Sequence, residues 1–214
     1  MKLRGLRWQS IDLTHRCNLN CDWCGKRTHE SDYEMTMAQM DNMLRYIQLP
    51  ITSIHVSGGE PLIHPQFNAM MYKLLTRFNF ITIATNGTMI NHVSPALIAD
   101  PRVNLLISYY SGRKHENSEH SDVTPARFYD PRHDPDLDDD AAKLVYEHCA
   151  YHQIKVIGDK VYDCCHAETV ERVSGGVYHA IVGPDWQVEL ESITRWPACK
   201  HCFISEKIPY EPTR

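Results

Sequence analysis

The sequence has no excess of basic charge. Its 22 Lys and Arg residues stand against 27 Asp and Glu, a formal net charge of -5. No overall positive field is available to hold a nucleic-acid backbone, so a nucleic-acid partner is not expected. No apolar run is long enough to span a bilayer, and the first residues, MKLRGLRWQS, lack the apolar core of a signal peptide. A membrane role is therefore not expected, and a cytoplasmic location is. Internal repeats are missing, and the one biased tract is the acidic run Asp138, Asp139, Asp140. Cysteine is not scarce: there are 8. In a cytoplasmic setting they read as metal ligands or free thiols rather than as a disulfide framework. The 214 residues, 43% of them hydrophobic, suffice for one sizeable core.

The most informative stretch is IDLTHRCNLNCDWCGK, residues 11 to 26. It places Cys17, Cys21 and Cys24 in one short loop as Cys-x-x-x-Cys-x-x-Cys. Three thiolates this close cannot all pair as disulfides, and they suit soft-metal ligation better. The spacing, with Trp23 before the third cysteine, resembles the cluster loop of the radical S-adenosylmethionine (SAM) superfamily. That resemblance implies a 4Fe–4S cluster held by three thiolates, whose open iron binds SAM. The alternative is a structural zinc site using these cysteines with His15 or His29. Zinc sites more often use paired Cys-x-x-Cys or His-x-His knuckles.

Around this loop the pattern alternates strands and helices. Leu6 to Leu13, Ile51 to Val56, Phe78 to Ala84 and Val103 to Tyr109 read as strands. Thr36 with Gln39 three residues on is a capping-box signature, followed by Met40, Met43, Leu44 and Ile47 at helical spacing. The methionines read as packing residues. Phe67 to Leu75 and Val93 to Ala99 read as further helices. Such alternation predicts a parallel sheet, in agreement with the partial (β/α) barrel of the family. Ser111 to Asp136 reads mostly as loop, and its His115, His120 and His133 as surface histidines. Asp138 to Cys149 reads as a helix whose acidic start favours the helix dipole, with magnesium binding the weaker reading. Beyond it, IKVI, Gly158-Asp159 and KVYDC read as a hairpin, and VYHAIV and WQVEL as an apolar pair about Gly183-Pro184-Asp185.

Two motifs follow successive strands. Ser57-Gly58-Gly59-Glu60-Pro61 sits where barrel enzymes put their sites. In isolation it would be an ordinary tight turn. Its place one unit beyond the cysteine loop resembles the family's GGE motif, which implies SAM contacts at Gly58, Gly59 and Glu60. Thr85-Asn86-Gly87 and Ser108 match family positions as well, implying SAM contacts at Asn86 and Ser108. Lys155 to Gly158 reads either as the family's fifth strand or as the first arm of the hairpin. The span is short for six strands, so the barrel is truncated or its later strands are compressed into the C-terminal segment.

Cys149, Cys164, Cys165 and Cys199-x-x-Cys202 form a second cysteine set. It resembles the SPASM/twitch extensions of the family, most nearly the one-cluster twitch form. This implies a second, auxiliary 4Fe–4S cluster, with zinc as the alternative, joined by His166 or His201. Strand alternation predicts that only one of Cys164 and Cys165 ligates. The expected architecture is α/β: a partial radical SAM barrel over 1–148 and a small cysteine-rich β-hairpin extension over 149–214. The resemblance implies an enzyme that reductively cleaves SAM to a 5′-deoxyadenosyl radical, which takes hydrogen from an unactivated carbon. Its implied partners are a ribosomal peptide or, second, a sugar or nucleotide as substrate, and an electron donor such as flavodoxin or ferredoxin. A glycyl-radical enzyme activase and a non-enzymatic zinc-stapled binding module are the competing readings.

Overall fold

A computed structural model describes residues 9–20, 24, 26, 31–109, 124–125, 137–149 and 152–201. Cys21, Trp23, His29, His115, His120, His133 and Cys202 lie outside the described residues.

Strands β1 (Gln9–Thr14), β2 (Ser53–Gly58), β3 (Phe80–Thr85) and β4 (Val103–Tyr109) are separated by helices α1 (Met37–Tyr46), α2 (Phe67–Leu74) and α3 (Pro95–Ile98). The predicted capping box is present: Thr36 Oγ1 accepts from the Gln39 N–H at 3.2 Å, and Gln39 Oε1 from the Thr36 N–H at 2.9 Å. After the two-residue strand β5 (Thr124–Pro125) come α4 (Asp139–His148), β6 (His152–Ile157), β7 (Lys160–Cys164), α5 (Ala167–Ser174), β8 (Ala180–Ile181) and α6 (Trp186–Ser192). Asp138 caps α4, accepting from the Ala141 N–H at 2.8 Å, as its place at a helix start implies.

The sheet order is β5-β4-β3-β2-β1-β6-β7-β8. The strands from β4 across to β6 run parallel, and β7 and β8 pair antiparallel. The fold is an unclosed α/β barrel. Strand β6 fulfils both readings of Lys155 to Gly158: it is a parallel neighbour of β1 and the first arm of the hairpin. Residues on either side of position 149 therefore share one sheet. They also share one core, since Ile154, Val156, Val161, Trp186 and Leu190 pack in the same cluster as Ile11, Met40 and Met70.

One expectation is corrected. WQVEL is not the second arm of an apolar pair but opens helix α6. Trp186 and Leu190, four residues apart, are buried while Val188 between them is exposed, which is helical rather than strand periodicity.

The two faces of the sheet differ in chemistry. Ile11, Leu13, Ile54, Val56, Ile81, Ile83 and Val156 join α1 and α2 in the apolar core. The alternate positions are polar. Ser10 pairs with His55 and with Lys155, Asp12 with Ser57, and Thr82 with both His55 and Asn104. Residues paired across a parallel sheet point to the same side, so these side chains line one inner face.

Candidate cluster and cofactor site

The loop after β1 is fixed by its own backbone. The Gly59 N–H donates to the Thr14 carbonyl at 2.7 Å, and the Glu60 N–H to the Arg16 carbonyl at 2.9 Å. On the other side, the His15 N–H donates to the Tyr33 carbonyl at 2.8 Å. Cys17 Sγ, half-buried, accepts from the Leu19 N–H at 3.4 Å, and Asn86 Nδ2 lies 4.0 Å from it. Burial pushes the Cys17 thiol up, the Leu19 N–H opposes this, and the nearby Glu60 and Cys24 add to it. A thiol held from ionising by burial and by a second sulfur suits a cationic metal as counter-charge. Of the predicted loop ligands, Cys17 and Cys24 are described and half-buried. His15, the zinc alternative, turns its ring to Ser31 Oγ at 2.8 Å and to Asp12 Oδ2 at 3.8 Å.

The glycines are needed for this docking. A Cβ on Gly58, whose φ is +146°, would sit 2.2 Å from the Thr14 carbonyl oxygen. One on Gly59 would sit 2.2 Å from that of Arg16. Glycine permits a close backbone approach, and here the approaching backbone is the chain's own cysteine loop.

Glu60 is fully buried and acts as a brace. Its carboxylate accepts from the Asn86 N–H at 2.6 Å, Thr85 Oγ1 at 2.7 Å and the Leu62 N–H at 3.0 Å. Burial raises its pKa, and these three donors work against the rise. Asn86 in turn donates to Asn18 Oδ1 at 2.9 Å, and its Oδ1 accepts from Thr88. Asn18 Nδ2 closes the ring on Thr88 Oγ1 at 2.8 Å. The structure thus brings Cys17, Gly58, Gly59, Glu60 and Asn86 together. Ser108 lies on β4, paired with Thr124.

Sequence reasoning missed a buried charge cluster on the inner face. Asp12, fully buried, meets Lys26 Nζ at 2.8 Å through Oδ1 and Lys155 Nζ at 2.8 Å through Oδ2. Ser57 Oγ donates to Asp12 Oδ1 at 2.6 Å and accepts from Lys26 Nζ at 2.9 Å. Burial opposes ionisation of Asp12, yet Lys155 and Lys26 together hold its carboxyl well below the usual range. Helix α5 adds the Glu168–Arg172 pair at 2.6 Å, and Arg172 also donates to the Lys26 carbonyl. His55, on the same face, is lowered to about 4 by burial first and by Lys26 second. The available signal was alternation: Ser10, Asp12 and Thr14 interleave with Ile11 and Leu13.

The C-terminal cysteines are distributed over several elements. Cys149 caps α4, Cys164 ends β7, Cys165 follows it and Cys199 lies in the 3-10 turn Trp196–His201. That turn packs on α4. Arg195 pairs with buried Asp163 at 2.7 Å, and Tyr146 donates to the same carboxylate at 3.1 Å. Alternation does not separate Cys164 from Cys165, because the strand ends at Cys164 and Cys165 lies beyond it. Among the described residues no group of three or more His, Cys, Asp or Glu side chains converges as a metal site. His166 lies beside the pair, its ring lowered to about 3 by burial and by Lys155. No helix among the described residues is long and apolar enough to cross a membrane.

Comparison with known proteins agrees with the geometry. Residues 11–109 match the family model described as the radical SAM superfamily. It is 30% identical over 112 residues to a tungsten-containing aldehyde ferredoxin oxidoreductase cofactor-modifying protein of Pyrococcus furiosus, covering 50% of this chain and 30% of that one. It is 36% identical over 90 residues to a probable GTP 3',8-cyclase of Methanothermobacter marburgensis, covering 41% and 30%. A GTP 3',8-cyclase of Peptoclostridium acidaminophilum is 29% identical over 124 residues, covering 53% and 38%. The match thus spans 30% to 38% of the length of these relatives. In fold, the chain resembles the crystal structure of BtrN in an open conformation, with a TM-score of 0.56 and 15% identity over 94% of this chain and 86% of that one.

Proposed function

We propose that this protein is a radical SAM enzyme in which Cys17, Cys21 and Cys24 hold a 4Fe–4S cluster. The observation that carries this is the docking of Gly59 and Glu60 on the backbone of Thr14 and Arg16, which fixes the cysteine loop against the strand ends within the matched region. The half-buried thiols of Cys17 and Cys24 suit soft-metal ligation. Held by Cys17, Cys21 and Cys24, the cluster would supply the electron for reductive cleavage of SAM to methionine and a 5′-deoxyadenosyl radical, the species that would abstract hydrogen from a substrate carbon. The chain's own contribution is placement. Gly58 and Gly59 allow the SAM-side backbone to lie against the cysteine loop. Glu60 locks Asn86 beside Cys17. Gly58, Gly59, Asn86 and Ser108 are the proposed SAM contacts, with Glu60 acting through Asn86. A flavodoxin or ferredoxin would supply the electron.

For the substrate, a small polar metabolite has more support than the ribosomal peptide. The matched relatives include GTP 3',8-cyclases, and the inner face is polar and charged. The C-terminal set, Cys149, Cys164 or Cys165, Cys199 and Cys202, is proposed to hold the auxiliary cluster. The packing of the Trp196–His201 turn on α4 supports this by bringing the elements of Cys149 and Cys199 together.

Anaerobically reconstituted protein with dithionite and SAM should release 5′-deoxyadenosine, and replacing Cys17, Cys21 and Cys24 by Ala should abolish it. Release by the triple variant would refute the assignment. The same variant should keep about four iron per chain, the content of one remaining cluster. Finding zinc or no iron there would remove the auxiliary cluster and leave the first proposal standing.

A further inference from the structure

Among the described residues, one carboxylate of the inner face, Asp12, stands between two ammonium groups: it meets Lys26 Nζ and Lys155 Nζ, each at 2.8 Å. These three groups sum to one positive charge beside the strand ends that carry the cysteine loop. An uncompensated buried charge is costly, and an arriving anion relieves that cost.

The hydrogen-bond inventory points the same way. An ammonium has three donors. Among the described residues, Lys26 Nζ uses two of them, on Asp12 at 2.8 Å and Ser57 at 2.9 Å. Lys155 Nζ donates to the Cys165 carbonyl at 3.1 Å and forms an ion pair with Asp12 Oδ2 at 2.8 Å. Each keeps at least one hydrogen for a further acceptor. The Lys26 side chain is 29% exposed and the Lys155 side chain 4% exposed, so Lys26 is the reachable one and Lys155 lies behind Asp12. Lys26 follows Cys24 by two residues, and Ser57 immediately precedes Gly58. An anion at Lys26 would therefore be anchored at the foot of the cluster loop.

We infer that Lys26, backed by Lys155, forms a binding site for an oxyanion, a carboxylate or phosphate group carried by the substrate. This rests on the radical SAM reading, and it deepens that reading by naming the charge of the substrate. Two protonated amines held apart by one carboxylate offer charge-assisted hydrogen bonds, which shorten and strengthen in a site shielded from water. Asp12 keeps both ammonium groups in place before the ligand arrives.

The test uses reconstituted holoprotein and calorimetric titration with pyrophosphate and, separately, succinate, against chloride at matched ionic strength. The two probes distinguish a phosphate from a carboxylate source. Saturable binding of either at one site per chain is expected. Lys26→Gln should weaken it about tenfold or more, the scale of one charge-assisted hydrogen bond, while Lys26→Arg should retain it. Should Lys26→Gln fail to fold, Lys26→Met, which keeps the apolar stem and leaves Asp12 paired with Lys155, gives the same readout. No binding above chloride, or unchanged affinity in Lys26→Gln, overturns the site. If Lys26→Gln weakens SAM binding instead of probe binding, the anion is the SAM carboxylate and the substrate assignment falls. SAM cleavage by the unmodified protein is scored separately: its absence would sink the enzyme reading even if the oxyanion still bound.

Discussion

Glu60 accepts the Asn86 backbone N–H at 2.6 Å, across 26 residues of chain. This contact ties the turn after β2 to the turn after β3, and through Asn86 to the loop of Cys17. Glu60→Gln cannot reproduce it. One carboxylate oxygen serves Asn86 and the other serves Leu62 and Thr85. An amide must point its NH2 at one of the two backbone donors. The expected cost is about 1–3 kcal/mol of stability, with weaker SAM binding. Chemical unfolding and SAM titration of Glu60→Gln check this; unchanged values in both would show that the brace is dispensable.

A second prediction concerns Gly59. A methyl group there meets the Arg16 carbonyl oxygen at 2.2 Å and that of His15 at 2.6 Å. Both are backbone atoms, so the cysteine loop itself must move. Gly59→Ala should therefore lose iron on reconstitution as well as affinity for SAM, at a stability cost of about 1–3 kcal/mol. Gly183→Ala is the control, since its Cβ meets nothing closer than 3.9 Å. Full iron loading of Gly59→Ala would contradict the tight docking.

What the sequence made legible was local. Alternation placed β1 to β4, and the capping box placed α1, because each signal lies within a few neighbouring residues. The pairing of β6 with β1 was not legible, since strands more than a hundred residues apart leave no local trace of their register. The same applies to Glu60, whose partners Thr85 and Asn86 lie a strand away. Helix α6 was misread because five residues of WQVEL fit both periods, and burial of Trp186 and Leu190 decides between them. Asp12 and Lys155 were visible as charged residues in apolar strands, but only the register shows that they meet.

That meeting gives a third prediction. Asp12→Asn leaves Lys155, with a side chain 4% exposed, facing a neutral amide. Breaking a buried pair from one side costs about 3–5 kcal/mol. Adding Lys155→Met should recover part of the loss, because the stranded charge is gone. Denaturant unfolding of the two single variants and the double variant measures the coupling. Additive losses, with no recovery in the double variant, would show that the pair contributes little.

Acid sensitivity should arise at His55. Burial is the main cause of its low pKa, about 4 against 6.5 when free, with Lys26 and Lys155 opposing its charge and Asp12 favouring it. Between these values the unfolded chain binds a proton that the folded chain does not. Stability is therefore full above pH 6.5 and falls as the pH drops toward 4, below which this group adds no further dependence. Over that window the loss attributable to His55 is about 1–3 kcal/mol. His55→Gln removes the titrating group, so its stability should fall less between pH 7 and pH 5 than that of the unsubstituted protein. Urea unfolding at the two pH values measures the difference. Parallel declines in both proteins would show that His55 is not the group that charges.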